Sequence, residues 1–399
     1  MRILHTADWH LGKRLDNFSR HEEQLLVLEE IIAIADRETA DVVIIAGDLY
    51  DSFNPPMESQ SLLYKTLKRL AKDGERPVIA IAGNHDSPDR VDSPDPLARE
   101  CGIIFIGRPR AEIQKFEVAG RFAITRTAQG FLELQLPKHP PLRLLHTAFA
   151  NEHRLKTYLG DDKGTGLHTL LQEHWQTLAD TYCDTQGINI LVTHLYMQQV
   201  GKPLEEPDGE KPLKVGNADI VFTHAIPEQI GYTALGHLHR YHNIGTASRP
   251  VVYPGSPLAY SFSEAGQHKY VMLLDARPGH DITYQKIPLA QGKPLYRKTF
   301  NDIPSCLLWL NDHPECLVEL TLLSDTFLTP GELKQLYDAH KGIVFIIPRI
   351  SSGQPHPETA RQLDLNQDIT SLFEAYFTQK NGLPPGKELL DIFTEIVHA

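Results

Sequence analysis

Cysteine is scarce in this chain. Four occur in 399 residues, Cys101, Cys183, Cys306 and Cys316, and none forms a C-x-x-C pair. That excludes a zinc knuckle and a thioredoxin-like redox motif, and reduced thiols in a cytoplasmic protein are the expected state. Long apolar runs are also missing, since none approaches the ~20 residues of a membrane helix. There is no excess of basic residues. The formal net charge of −12 argues against a surface that coats nucleic acid as a whole. It leaves room for a local basic rim, and bound metal ions can supply positive charge where a phosphate sits. No G-x-x-x-x-G-K-[ST] loop is present, so the chain encodes no P-loop ATPase. Internal repeats and low-complexity segments are absent too. What remains, 41% hydrophobic and 23% charged residues, is the balance of a globular protein with one large domain and a smaller one.

Five short polar motifs are present, and each ends a strand-like apolar run. They are Asp8-Trp9-His10, Gly47-Asp48, Gly83-Asn84-His85-Asp86, Thr193-His194 and Gly236-His237-Leu238-His239. The runs before them read as buried strands: Arg2 to Thr6, Val42 to Ala46, Val78 to Ala82, Ile188 to Val192 and Tyr232 to Leu235. Ser19-Arg20-His21-Glu22 fits a capping box opening a helix with Leu25, Leu28, Ile32 and Ala35 at helical spacing. Pro55-Pro56 opens a second helix carrying Leu63, Leu67 and Leu70. This alternation predicts an α/β sheet whose ligand site lies outside the carboxyl ends of its strands. No cleaved leader is expected, because cleavage would remove Asp8 and His10.

Carboxylate, imidazole and amide oxygen together suit Mn²⁺, Fe²⁺ or Zn²⁺ better than Mg²⁺. Two ions ~3.5–4 Å apart need a bridging carboxylate and separate ligands for each. Asp48, ending a rigid central strand, is the natural bridge. Asp8, His10 and His239 could complete one ion, and Asn84, His194 and His237 the other. A hydroxide held between them would attack phosphorus in line. His85, beside Asn84, is expected to point elsewhere and act as general acid, with Asp86 hydrogen-bonded to it. Asp51 reads as a turn or supporting residue, His5 as strand packing, and His139, His153 and His168 as surface. One such motif alone would carry little weight; five in order, each after an apolar strand, carry much more.

These residues resemble the calcineurin-like metallophosphoesterases, whose pattern is D-x-H, G-D, G-N-H-D/E, an H after a strand, and G-H-x-H. Longer stretches resemble the SbcD family within that superfamily, the nuclease subunits of bacterial SbcCD complexes. They are Leu4 to Gly12, Ser19-Arg20 with Glu23-Gln24, Ala46 to Asp51, Ala82 to Ser87, Ala234 to His239 and Tyr253 to Leu258. The specific motifs cover residues 1 to about 275. The resemblance implies a sandwich of two mixed sheets flanked by helices. It implies a manganese-dependent nuclease, an exonuclease on double-strand ends and an endonuclease on hairpins and single strands, serving DNA repair, recombination and replication. It also implies a homodimer within a heterotetramer with an SbcC-type, SMC-like coiled-coil ATPase. Carried over by position, the ligands are Asp8, His10, Asp48, Asn84, His194, His237 and His239, and His85 takes the catalytic place.

The expected organisation is a nuclease domain over 1–285, a small α/β capping subdomain over 295–350 and a helical partner-binding segment over 363–399. Residues Ser351 to Arg361 read as a linker. In the tail, Ile369, Leu372, Phe373, Tyr376 and Phe377 make one apolar stripe. The helix after Pro56 and the stretch Pro96 to Arg99 lie where this family's dimer contact would be. Residues 108–187 offer no chemistry beyond a helix from His168 to Tyr182. The alternative is a phosphomonoesterase or cyclic-nucleotide phosphodiesterase on the same fold. It is disfavoured because Asp51 is followed by Ser52-Phe53 rather than by the Arg of the protein phosphatases, and because such an enzyme has no need of ~100 further residues. A scaffold without catalysis would have no reason to retain every ligand position.

Overall fold

The computed structural model describes residues 1–159, 163–202, 220–324 and 328–350. In the tail it describes 370, 372–374, 376–377, 385, 389–390 and 393. Two mixed sheets lie face to face. The first has six strands in the order Thr283–Leu289, Lys269–Asp275, Arg2–Thr6, Val42–Ala46, Val78–Ile81 and Ile103–Ile106. The last four run parallel, and the first two are antiparallel additions. The second has eight strands in the order His242–Asn243, Val251–Tyr253, Tyr232–Gly236, Ile188–His194, Leu142–Thr147, Phe131–Gln135, Phe122–Ala128 and Glu117–Val118.

Alternation sets the layers. Ile188, Ile190 and Val192 face the sandwich interior with Leu142, Leu144, Ile3 and Val42. Leu191, Leu145 and Leu235 face outward onto Leu167, Leu171 and Trp175 of the helix Lys163–Tyr182. Helices His21–Arg37 and Met57–Ala71 cover the first sheet with Leu28, Ile31, Leu63 and Leu67. Leu63, Leu67 and Leu70 are thus spent on the core, while Met57 and Leu97 remain exposed.

The capping box expected at Ser19 does not form, because Arg20 occupies the cap position without a side-chain cap bond. The buried Arg20 guanidinium is committed instead to Glu23, at 2.6 and 2.9 Å, and to the Ala259 carbonyl at 2.7 Å. A cap contributes about 1 kcal/mol. Breaking a buried ion pair costs about 3–5 kcal/mol, so the pair decides where the side chains go. Glu23 also accepts from Lys293 N at 2.6 Å, and Glu30 accepts from Ala290 N and Gln291 N. The first helix therefore fastens the chain where it leaves the large sandwich.

Beyond that crossing lies a three-stranded sheet, Leu295–Phe300, Leu317–Ser324 and Ile343–Ile350, with helices Ile303–Asp312 and Pro330–Ala339. It has its own small core of Cys306, Leu310, Val318, Leu320 and Leu336. Leu295, Leu317 and Val344 join Leu15 and Phe262 in a further cluster against the larger part. The strand Leu295–Phe300 was not legible, since Arg297 and Lys298 break the apolar pattern; the helix after it, capped by Asp302 and rich in leucine, was missed although its signal was present.

Met1–Ser324 with Leu328–Arg349 make one compact unit, and the tail belongs to another. The linker expected over 351–361 and Ile369 lie outside the described residues. Within the tail, Phe373 stacks on Phe393 with centroids 4.0 Å apart, and Phe377 lies 5.8 Å from Phe373. Part of the expected stripe is therefore engaged by the last helix. No helix among the described residues is long and apolar enough to cross a membrane.

Candidate dinuclear metal centre

The seven candidate ligands lie at carboxyl ends of strands in both sheets. Asp8 and His10 follow Arg2–Thr6, Asp48 follows Val42–Ala46, and Asn84 follows Val78–Ile81. His194 ends its own strand, and His237 and His239 follow Tyr232–Gly236. The sheets pinch together here. His194 Nδ1 donates to the Ala46 carbonyl at 2.8 Å. A Cβ on Gly236 would stand 1.8 Å from that same oxygen, and one on Gly83 would stand 2.1 Å from Asp48 Oδ1. Only glycine lets the motifs approach so closely. Asp8, His10, Asp48 and His237 all have positive φ, at 56°, 45°, 50° and 109°. Such backbone costs about 1–3 kcal/mol per residue and clusters at functional sites.

Asp48 Oδ2 lies 3.4 Å from His10 Nε2 and 3.3 Å from His194 Nε2. Asn84 Oδ1 lies 3.1 Å from His194 Nε2 and 2.9 Å from His237 Nδ1. His10 Nε2 and His239 Nε2 stand 3.0 Å apart. Asp8 Oδ1 accepts from His237 N at 2.9 Å, while its buried Oδ2 has no hydrogen-bond partner among the described residues. Ligand atoms at about 2.1 Å on adjacent octahedral corners of one ion stand about 3 Å apart. The donor set, its spacing and the orphaned carboxylate oxygen fit divalent metal ions.

Outer partners orient the rings. With His194 Nδ1 on Ala46 O, its Nε2 faces the centre. His239 Nδ1 lies 3.4 Å from Glu264 Oε1, a buried carboxylate ion-paired to Lys269, and His10 Nδ1 lies 3.5 Å from Asp51 Oδ1. The electrostatics suit a cation. Burial pushes the Asp8 carboxyl up to about 7. Burial also lowers His10 to about 4 and His237 to about 3, leaving neutral imidazoles. Burial opposes ionisation of Asp48, yet His194 and His10 hold it well below the carboxylate range. Burial likewise works against charge on His194, but the Asp48 carboxylate raises it to about 9.

His85 reaches the same cleft, its ring 4.8 Å from that of His10. Asp86 does not hydrogen-bond it as expected. The Asp86 carboxylate accepts instead from the backbone N–H groups of Leu49 at 3.0 Å, Tyr50 at 2.9 Å and Gly83 at 2.8 Å. Three buried amides without strand partners claim it. The partner of His85 Nδ1 is the Asp51 carbonyl at 2.9 Å. Asp51 also receives Lys13 Nζ at 2.7 Å, which fits the supporting role read for it. His5 is buried against Tyr232 and the Leu235 carbonyl, and His168, expected at the surface, faces His224 at 2.9 Å.

Several supporting residues escaped sequence reasoning. Gln24 Nε2 donates to the His10 carbonyl at 2.8 Å. Glu264 steadies His239. Arg154, from the stretch that offered no chemistry, donates to carbonyls of the Gly83–Asp86 loop. A signal for Arg154 existed, because it follows the strand Leu142–Thr147, another carboxyl end in the same sheet.

Comparison with known proteins shows the family of the chain. The family described as calcineurin-like phosphoesterase matches residues 1–241. Over 407 aligned residues the chain is 35% identical to the SbcD subunit of the SbcCD nuclease of Bacillus subtilis (strain 168), covering 99% of this chain and 97% of that protein. It is 31% identical to the Rhodobacter capsulatus protein of the same description, covering 74% and 71%, and 30% identical to that of Staphylococcus epidermidis, covering 74% and 70%. The chain belongs to the calcineurin-like phosphoesterase family, within its group of SbcD nucleases.

Proposed function

We propose that this chain is a metal-dependent DNA nuclease that hydrolyses phosphodiester bonds at a two-metal centre. The observation that carries the reading is Asp48 Oδ2, one oxygen set between His10 Nε2 and His194 Nε2 at 3.4 and 3.3 Å. In this reading Asp48 would serve both ions, Asp8, His10 and His239 would hold one, and Asn84, His194 and His237 would hold the other. Mn²⁺ is the proposed metal, because the mixed nitrogen and oxygen set disfavours Mg²⁺. Ions bound there would lower the pKa of an attacking water and would offer positive charge to the phosphate oxygens.

The chain's own residues do the rest. His85 protonates the departing oxygen, its Nδ1–H held by the Asp51 carbonyl so that Nε2 exchanges the proton. Asp86 and Gln24 hold the loops that carry the ligands. The neutral His10 and His237 keep lone pairs available as donors. With manganese, the purified protein is expected to cleave single-stranded and hairpin DNA, and EDTA should stop it. Faster hydrolysis of a phosphomonoester or a cyclic nucleotide than of DNA would overturn the reading.

The substrates proposed are double-strand ends, hairpins and single strands. The partner proposed is an SbcC-type coiled-coil ATPase, with two copies of this chain in the assembly and the exposed Met57 and Leu97 near their contact. The tail beyond residue 363 is proposed to dock that ATPase through a short helical surface on which Tyr376 is exposed. Truncation after Leu363 should leave basal cleavage of single strands intact and abolish co-elution with the ATPase on gel filtration. Co-elution at normal affinity would refute the docking role.

A further inference from the structure

We infer that Arg154 is the positioning residue that sets the Asn84–His85 segment, an inference that rests on the reading of Asn84 as ligand and His85 as catalytic. Arg154 sits in the short helix Glu152–Leu155, capped by Asn151, whose Oδ1 accepts from Arg154 N at 2.9 Å. Its guanidinium donates to the carbonyls of Gly83 at 2.7 Å, Asp86 at 2.7 Å and Asn84 at 3.3 Å. Three acceptors from four consecutive residues thus converge on one planar fork. The guanidinium lies 5.0 Å from the Phe149 ring centre and 5.9 Å from that of Phe53. Aromatic faces steady the cation in that position.

The loop is held from two sides by opposite chemistry. On one side the Asp86 carboxylate gathers amide N–H groups. On the other, Arg154 gathers carbonyls. What lies between is the part that matters. Asn84 Oδ1 must meet His194 and His237, and His85 Nδ1 must meet the Asp51 carbonyl. Released from Arg154, the carbonyls would turn toward water and rotate the peptide planes that aim both side chains. A lysine offers a point charge and cannot span three divergent acceptors with a rigid fork.

The test is a comparison of R154A, R154K and N84A with the unaltered protein. Manganese affinity is read by titration calorimetry, kcat and KM from single-strand cleavage, and folding by thermal unfolding in EDTA. R154A is expected to weaken one of the two ions ~10–100-fold, the usual effect of losing an outer partner. kcat should fall while KM for DNA stays near its original value, and unfolding in EDTA should stay close to that of the unaltered chain. R154K should restore little. Free guanidinium ion, far below denaturing concentration, should restore part of the R154A activity and none of that lost in N84A. If R154A kept both affinities and kcat while N84A lost an ion, the inference would be overturned and the ligand reading would stand. If N84A itself kept both ions, the ligand reading would fall, and the inference with it. An R154K that behaved like the unaltered protein would also refute the role of the fork.

Discussion

Asp48→Asn is expected to abolish DNA cleavage and to strip metal from both positions, not one. The substitution is nearly isosteric. An amide Oδ1 can still accept from His85 N, as the carboxylate does at 2.9 Å, so the loop need not rearrange. What disappears is negative charge on the atom that lies between His10 and His194. Losing an outer partner of a ligand lowers metal affinity about 10–100-fold; losing a shared inner carboxylate should exceed that at both ions. Manganese content after gel filtration and single-strand cleavage give the two readouts. A variant that held two ions per chain and cleaved at near-normal rate would remove Asp48 from the bridge.

His85→Ala should separate metal binding from chemistry. Metal content is expected to stay near two ions per chain, because the hydrogen bond from His85 to Asp48 runs through the backbone and survives truncation of the ring. Cleavage should slow ~10²–10⁴-fold, the span of a positioned acid or base. A substrate with an acidic leaving group, such as a nitrophenyl phosphodiester, needs no proton on departure and should recover most of that loss. If the variant lost an ion, His85 would be a ligand. If the nitrophenyl ester were slowed as much as DNA, His85 would serve the phosphate rather than the leaving oxygen.

Legibility in the sequence followed the range of the forces involved. The strands before the candidate ligands were plain because both faces are buried, so Val42 to Ala46 and Val78 to Ile81 had to be apolar without interruption. The family of the site was plain because ligand chemistry restricts residue type at every position. Side-chain to backbone bonds were not legible. Nothing near Asp86 says that its carboxylate goes to Leu49 and Tyr50, nor near His85 that its ring goes to a carbonyl of Asp51. Acceptors of that kind have no side-chain signature. Arg154 and Glu264 were hidden for a related reason: each works on an atom that folding brings from 70 or 25 residues away. The capping box at Ser19 failed in the opposite sense, since a local pattern was present and a buried ion pair overrode it.

The left-handed backbone at Asp8, His10, Asp48 and His237 bears on anyone who would move this chemistry to another protein. Copying the seven candidate side chains onto ordinary strand ends would reproduce the residue types and miss their aim, because a relaxed peptide points the same Cβ elsewhere. The recipient would need the tight glycines at Gly83 and Gly236 and a sandwich stiff enough to hold four disfavoured dihedrals at once. Conversely, directed evolution for heat resistance alone would find easy gains by relaxing those four positions. Each gain would be taken directly from the active site.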